Sequence, residues 1–304
     1  MRTAGPLAAA ALALALVTQG ASAGTEDAPC AVDDLERKVC LEAPARRIVA
    51  LSPGATELAF AAGAGEKVVA VVAHSDYPPP ARKLPIVGDY NRIDLEALVG
   101  LEPDLVVGWV TGNPEKQLET LESLGIRVFY IEPRTVDGVA DTLERLGRLA
   151  GSEATAEQEA EAFVAGMAEL KARYSEHEPV RVFYQVWDSP LMSLNDEHLI
   201  GRAIRDCGGV NVFGERPRLV PRLSDEAVLD ANPEVIITGS DDDSVDNAWL
   251  EHWRQYSGLA AVARGNLYTV PADPLVRPTP RFLQGATSLC ERIDQARQTQ
   301  ASAE

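Results

Sequence analysis

The residues best equipped for chemistry are few and scattered. His74-Ser75-Asp76 holds the residue types of a hydrolytic triad, but side chains adjacent in a chain do not converge as a triad requires, so the tripeptide reads as turn chemistry. The histidines stand at 74, 177, 198 and 252, too few and too dispersed for a bare zinc or manganese site, so no resident metal is expected. A neutral His74 imidazole would still be able to ligate cobalt or iron, stack, or donate a hydrogen bond. Asp273 and Arg277 flank Pro274-Leu275-Val276. They suit hydrogen bonding to a polar ligand edge, or a loop salt bridge worth less than about 1 kcal/mol. No phosphate loop, G-x-S-x-G elbow or H-E-x-x-H pair occurs, and Gly63-Ala64-Gly65 does not complete a G-x-G-x-x-G. An enzyme is not expected.

Aromatic residues suggest binding instead. Tyr90 and Trp109 fall after predicted strand ends or in the loops that follow, and Trp187 follows a strand predicted over Val182–Val186. An aromatic ring can bury about 150–250 Å² against an apolar plate, and such loops open onto the cleft of α/β proteins. Rim packing is the plainer alternative. Trp249 and Trp253, four residues apart on a predicted helix, read as a packed stripe.

The elements that must hold these residues alternate. Arg47–Leu51 is a short apolar run that stops at Ser52-Pro53-Gly54, where a helical pattern begins. Strands over Val68–Val72, Leu105–Gly108 and Val128–Ile131 then alternate with helices over Asp94–Leu101, Glu115–Leu124 and Val136–Ala150, which predicts a mostly parallel sheet covered on both faces. Residues 153–177 lack proline and place Phe163, Met167 and Leu170 on one face, so one helix of about 37 Å is expected there. The α/β pattern resumes at Arg181. A repeat at an offset of 130 residues pairs Glu96-Ala97-Leu98-Val99 and Pro103-Asp104 with Glu226-Ala227-Val228-Leu229 and Pro233-Glu234, each copy capped by Asp94 or Ser224. The lobes read as duplicated units.

Charge and processing signals bound the setting. Lys plus Arg is 28 against 46 Asp plus Glu, a formal charge of −18, the wrong sign for nucleic acid or anionic lipid. Arg2, the apolar run Leu7–Val17 and Ala21-Ser22-Ala23 form a secretory leader pattern too short to span a bilayer. With no cysteine at the cleavage point and no later spanning segment, the mature chain is expected free of a membrane anchor in an oxidising space, the periplasm of a bacterium. An even set of cysteines without a C-x-x-C pair favours disulfides over zinc. Of the three pairings, Cys30–Cys40 with Cys207–Cys290 is the economical one, because it joins near neighbours and staples the C-terminal half. The organisation expected is a leader over 1–23, an N-terminal extension over 24–46, an α/β lobe over 47–150, a linking helix within 151–179, a second α/β lobe over 180–295 and a polar tail over 296–304.

Leu51-Ser52-Pro53-Gly54-Ala55-Thr56-Glu57-Leu58-Ala59-Phe60-Ala61-Ala62-Gly63, Ser75-Asp76-Tyr77-Pro78-Pro79, Asp94-Leu95-Glu96 and Cys207-Gly208-Gly209 with Asn211 and Phe213 resemble one family. It is that of the periplasmic substrate-binding proteins of bacterial ATP-binding-cassette importers, in the class whose lobes are bridged by one helix, and within it the cobalamin binders. The similarity spans about residues 47–293. It implies a ligand between the lobes, touched by Pro53, Gly54, His74, Tyr90, Trp109, the loop from Trp187 to Met192, Val220 and the loop from Asp273 to Arg277. His74 stands where the cobalamin binders have tyrosine, Tyr90 and Val220 where they have tryptophan, and Met192 where they have an aromatic; Trp187 would compensate.

The resemblance further implies a monomer that captures a corrinoid, cobalamin foremost, without a cofactor of its own, and delivers it to a dimeric inner-membrane permease. Haem or ferric-siderophore carriage is the alternative within the class, and an exported hydrolase using His74 the alternative outside it. Glu96 and Glu226, equivalent in the repeat, are implied to dock onto permease arginines. Their local explanation is a macrodipole preference of about 0.3–1 kcal/mol for acids in a helix's first turn.

Overall fold

The computed structural model describes Met1, residues 28–240 and residues 248–301; the leader expected over 1–23 lies, Met1 apart, outside the described residues. The chain opens with a hairpin of β1 (Cys30–Val32) and β2 (Lys38–Cys40), closed by a Cys30–Cys40 disulfide. The first lobe follows as β3 (Ile48–Ala50), α1 (Pro53–Ala59), β4 (Val68–Val71), a two-rung ladder of β5 (Gly88–Asp89) with β6 (Arg92–Ile93), α2 (Leu95–Gly100), β7 (Leu105–Trp109), α3 (Glu115–Ser123), β8 (Val128–Ile131) and α4 (Val136–Ala150). A single helix, α5 (Glu153–Tyr174), leads on. The second lobe is β9 (Val180–Gln185), a ladder of β10 (Trp187–Asp188) with β11 (Leu191–Met192), α6 (Leu199–Asp206), β12 (Gly209–Asn211), α7 (Asp225–Ala231), β13 (Val235–Gly239), α8 (Ala248–Arg254), α9 (Ala260–Ala263), β14 (Leu267–Val270), α10 (Ala272–Val276) and α11 (Phe282–Ala301).

Each lobe holds a four-stranded parallel sheet, ordered β4-β3-β7-β8 in the first and β12-β9-β13-β14 in the second. The permutation is the same: the lobe's second strand flanks its first, and the third and fourth extend the other side. Parallel strands packed by helices on both faces must be apolar throughout, and Ile48–Ala50, Leu105–Gly108, Val128–Ile131 and Val235–Thr238 are buried without interruption. The repeat reaches backbone detail. Asp94 and Ser224 each cap a helix by accepting the N–H of Ala97 or Ala227. Arg47 and Arg181 each donate to the carbonyl at that helix's end, Leu101 or Ala231, and Asp104 or Glu234 accepts the same arginine's N–H.

The linking helix is shorter than the pattern over 153–177 suggested, because the chain turns after Tyr174 to feed β9, with His177 N–H closing onto the Tyr174 carbonyl. Ala156, Ala160, Phe163, Met167 and Leu170 form its buried stripe, at the 4-3-4-3 residue steps of a helix face. That face packs along α4 of the first lobe and reaches α6 and α11 of the second. At Gly166 a Cβ would fall 2.4 Å from Leu283 of α11, so a glycine lets the helix sit directly on the second lobe. The polar tail expected from residue 296 is instead helical to Ala301. Ala296 prolongs the buried Ala286–Leu289–Cys290–Ile293 stripe, and Arg297 donates to the carbonyls of Glu178 and Cys207. The Cys207–Cys290 disulfide staples α11 to the end of α6, closing 83 residues, a constraint worth about 4–5 kcal/mol in a chain-entropy account.

The N-terminal extension is an integral part of the first lobe. Ala31, Val39 and Leu41 join its core, Arg37 lies 4.2 Å over the Tyr130 ring, and Asp34 ion-pairs Arg145 at 2.8 Å. Asp34 also accepts the N–H of Glu132, at the mouth of the cleft described next.

Candidate functional site

A cleft of about 410 Å³ opens between the lobes. The first lobe supplies Ser52-Pro53-Gly54-Ala55 and Leu58 at the start of α1, His74, Tyr90, Trp109 at the end of β7, and Ile131 to Arg134 after β8. These are largely the carboxyl ends of parallel strands and the segments after them, where α/β folds bind ligands. Ser52 caps α1 by accepting the Ala55 N–H at 3.0 Å, and Pro53 occupies the first turn, where a missing N–H costs nothing. Trp109 and Tyr90 make a tilted pair, ring centroids 6.0 Å apart.

One buried amide sets this wall. Asn113 accepts the Trp109 N–H at 2.7 Å and donates to the carbonyls of Leu51 at 2.8 Å and Tyr90 at 3.1 Å, fixing three lining segments at once. Gly112 completes the arrangement: a Cβ there would lie 1.8 Å from the Trp109 ring, so only glycine leaves the indole its place. Glu132 is held by the backbone N–H and hydroxyl of Thr111, at 3.1 and 2.9 Å, and stands 3.6 Å from Arg134.

The facing wall, from the second lobe, is aliphatic and carries one histidine. It consists of Glu197, His198 and Leu199 at the start of α6, Leu219, and Leu275 to Pro278. Buried Asn195 organises it, accepting the Glu197 N–H at 3.0 Å while its own backbone N–H donates to the Leu219 carbonyl. His198 is the N-cap of α6, its Nδ1 accepting the Ile200 N–H at 3.1 Å. Burial, and after it the charge of Arg134, lowers the His198 pKa to about 4, so the ring is neutral at ordinary pH.

A cluster of ionised groups joins the lobes beside the cleft. Glu57 of α1, 3% exposed, receives Arg277 at 2.9 Å, Thr279 at 2.8 Å and Arg281 at 3.1 Å, all from the second lobe. Arg277 also pairs with Asp76 at 3.1 Å and Asp273 at 2.6 Å, and Arg281 lies 4.0 Å over the Tyr77 ring. Burial works against the Arg277 charge, yet the carboxylates of Glu57, Asp273 and Asp76 hold its pKa above the usual value. Partial burial likewise opposes ionisation of Asp76, and Arg277 outweighs it and lowers the carboxyl.

Six of the ten expected ligand residues line the cleft: Pro53, Gly54, His74, Tyr90, Trp109 and Arg277. Arg277 does so with its guanidinium already committed to three carboxylates, and Asp273 is one of them instead of a lining group. Trp187 and Met192 pair across the β10–β11 ladder and are not among the lining residues; Trp187 is 51% exposed and meets Trp249, ring centroids 5.9 Å apart. Val220 is also exposed, and its neighbour Leu219 lines the cleft in its place. Trp253 is buried, its indole N–H donating to Gln185. Sequence reasoning passed over Glu57, Glu132, Arg134, Glu197 and His198. The signals were a lone acid inside the apolar run Ala55–Ala59, and the polar residues straight after β8 and before α6.

Glu96 and Glu226 are exposed in the first turns of α2 and α7, one on each lobe. A bond from its own backbone N–H, and then one from Ser224, lowers the Glu226 pKa. Among the described residues no helix is long and apolar enough to cross a membrane. Among them also, no group of three or more His, Cys, Asp or Glu is placed to hold a metal ion.

The periplasmic binding protein family model matches residues 48–274, and the chain belongs to that family, as its residue patterns led us to expect. It is 36% identical over 248 residues to the vitamin B12-binding protein of Vibrio cholerae serotype O1, covering 81% of this chain and 88% of that one. Its structure resembles the periplasmic vitamin B12-binding protein BtuF of Vibrio cholerae with a TM-score of 0.75 at 35% identity, over 84% of this chain and 98% of the other. The periplasmic haem-binding protein HutB of Vibrio cholerae shares the fold, at 24% identity and a TM-score of 0.71, over 81% of this chain and 97% of its own.

Proposed function

We propose that this periplasmic binding protein captures a corrinoid, cobalamin foremost, and hands it to an inner-membrane importer. The observation that carries the choice of ligand is the state of Arg277. A haem carrier must meet two propionates, and the guanidinium best placed for them is already paired with the carboxylates of Glu57, Asp273 and Asp76. The remaining charges on the lining are Glu132 beside Arg134, and Glu197. Among the described residues both lining guanidiniums, Arg277 and Arg134, stand beside carboxylates, a balance that disfavours a dicarboxylate and suits a broad apolar ring fringed with neutral amides. Tyr90 and Trp109 offer the aromatic face for that ring, and the identity to vitamin B12-binding relatives supports the same reading.

A carrier role also fits the fate of His74-Ser75-Asp76. Ser75 accepts a bond from the Thr56 hydroxyl at 3.1 Å and Asp76 is held by Arg277, so neither serves His74. The periplasm is the compartment the family and the leader pattern suggest. Delivery would place Glu96 and Glu226 on the two halves of a permease, since a duplicated fold presents equivalent carboxylates to a twofold partner. Replacing both with lysine should leave the corrin absorption that stays with the desalted protein unchanged while abolishing uptake in cells. Loss of the retained absorption would overturn the docking assignment, and a wild type that retains none would overturn the ligand.

A further inference from the structure

His198 takes the chain furthest beyond these assignments. Its Nδ1 accepts the Ile200 N–H at 3.1 Å. A backbone N–H can only donate, so Nδ1 carries the lone pair and the ring hydrogen is on Nε2. Nε2 has no hydrogen-bond partner among the described residues, and the ring lines the cleft beside Glu197 and Leu199. The position is fixed from both sides, since the His198 N–H donates to the Asn195 carbonyl and Asn195 in turn holds Glu197.

Metal ligation through Nε2 would need the proton moved to Nδ1, which would then face the Ile200 N–H donor to donor and undo the helix cap. The same imidazole therefore cannot cap α6 and coordinate a metal. We propose that His198 is a specificity residue of the second lobe, presenting a fixed, neutral Nε2–H donor to a carbonyl oxygen on the ligand's edge. An amide carbonyl satisfies that donor without bringing a charge next to Glu197, which a carboxylate would do. This rests on the proposed corrinoid function and assigns one of the ligand's amides its partner.

Two substitutions separate the cap from the donor. His198→Asn keeps an acceptor where Nδ1 stands but has no donor at the Nε2 position; His198→Gln places an amide N–H near the Nε2 position and gives up the cap. With cyanocobalamin as the calorimetric probe, the Asn variant should bind about tenfold more weakly and melt with wild type. The Gln variant should bind within about threefold of wild type and melt about 2–4 °C lower. Binding by the Asn variant at wild-type strength, or equal weakening in both, would overturn the assignment. A wild type that takes up no cyanocobalamin would overturn the functional reading and this inference with it.

Discussion

At its outer end each lobe repeats the same device. A side-chain-capped helix bears an exposed glutamate, Glu96 or Glu226, and an arginine at the start of the lobe's first strand, Arg47 or Arg181, donates to the carbonyl at the helix's end. At the cleft the lobes part company. The first offers Tyr90 and Trp109, fixed by the Asn113 amide, whereas the second offers leucines and His198. Where they meet, the first supplies Glu57 and Asp76 and the second Arg277 and Arg281. One duplicated scaffold has thus kept its likeness around Glu96 and Glu226, where the proposed docking would bring a symmetric partner, and lost it at the cleft, where the proposed ligand would meet two different walls.

The junction is where this contrast breaks with the largest effect. Glu57→Gln leaves two guanidiniums without their buried counter-charge and should cost about 3 kcal/mol or more in a urea titration. Glu122→Gln, which removes a partly exposed carboxylate from Arg37, should cost less than about 1 kcal/mol. Equal costs would show the junction to be no more than another surface pair. The walls come next: Trp109→Ala should weaken cyanocobalamin binding about 100-fold and Leu219→Ala about 5-fold to 10-fold. Similar losses from the two would remove the claim that the aromatic wall dominates.

The last difference lies in the pH dependence of stability. His198 is held near 4 in the folded protein and titrates near 6.5 when unfolded, so between those values the unfolded chain binds more protons. Stability should therefore be whole above about pH 6.5 and decline towards pH 4, by at most about 3 kcal/mol. Asp76, with its pKa lowered against Arg277, loses its contribution only at lower pH, below the ordinary carboxylate range. Melting curves from pH 7 to 5 should be flatter in His198→Asn than in wild type, and parallel slopes would place the titration elsewhere.

Periodicity and repeat carried the architecture a long way. The Val136–Ala150 helix is capped at both ends, by Thr135 and by left-handed Gly151, and its bounds were readable as such. The pattern over 153–177 was helical too, but where such a helix stops depends on how β9 joins the sheet, which local sequence does not contain. The cleft was legible where aromatic residues follow strands. It was not legible at Glu57 and Arg277, 220 residues apart, because a partner across the lobes leaves no trace in local spacing. His198 was missed for a related reason: it looks like a loop histidine until the helix it caps is placed.

The central claim is that a cleft with an aromatic wall, its described cations standing beside carboxylates, selects a neutral corrinoid. Calorimetric titration of the wild-type protein with cyanocobalamin and, separately, haemin at neutral pH tests it most directly. The account predicts one corrinoid site with an affinity at least about tenfold that for haemin. Haemin binding as tightly or more tightly would contradict it.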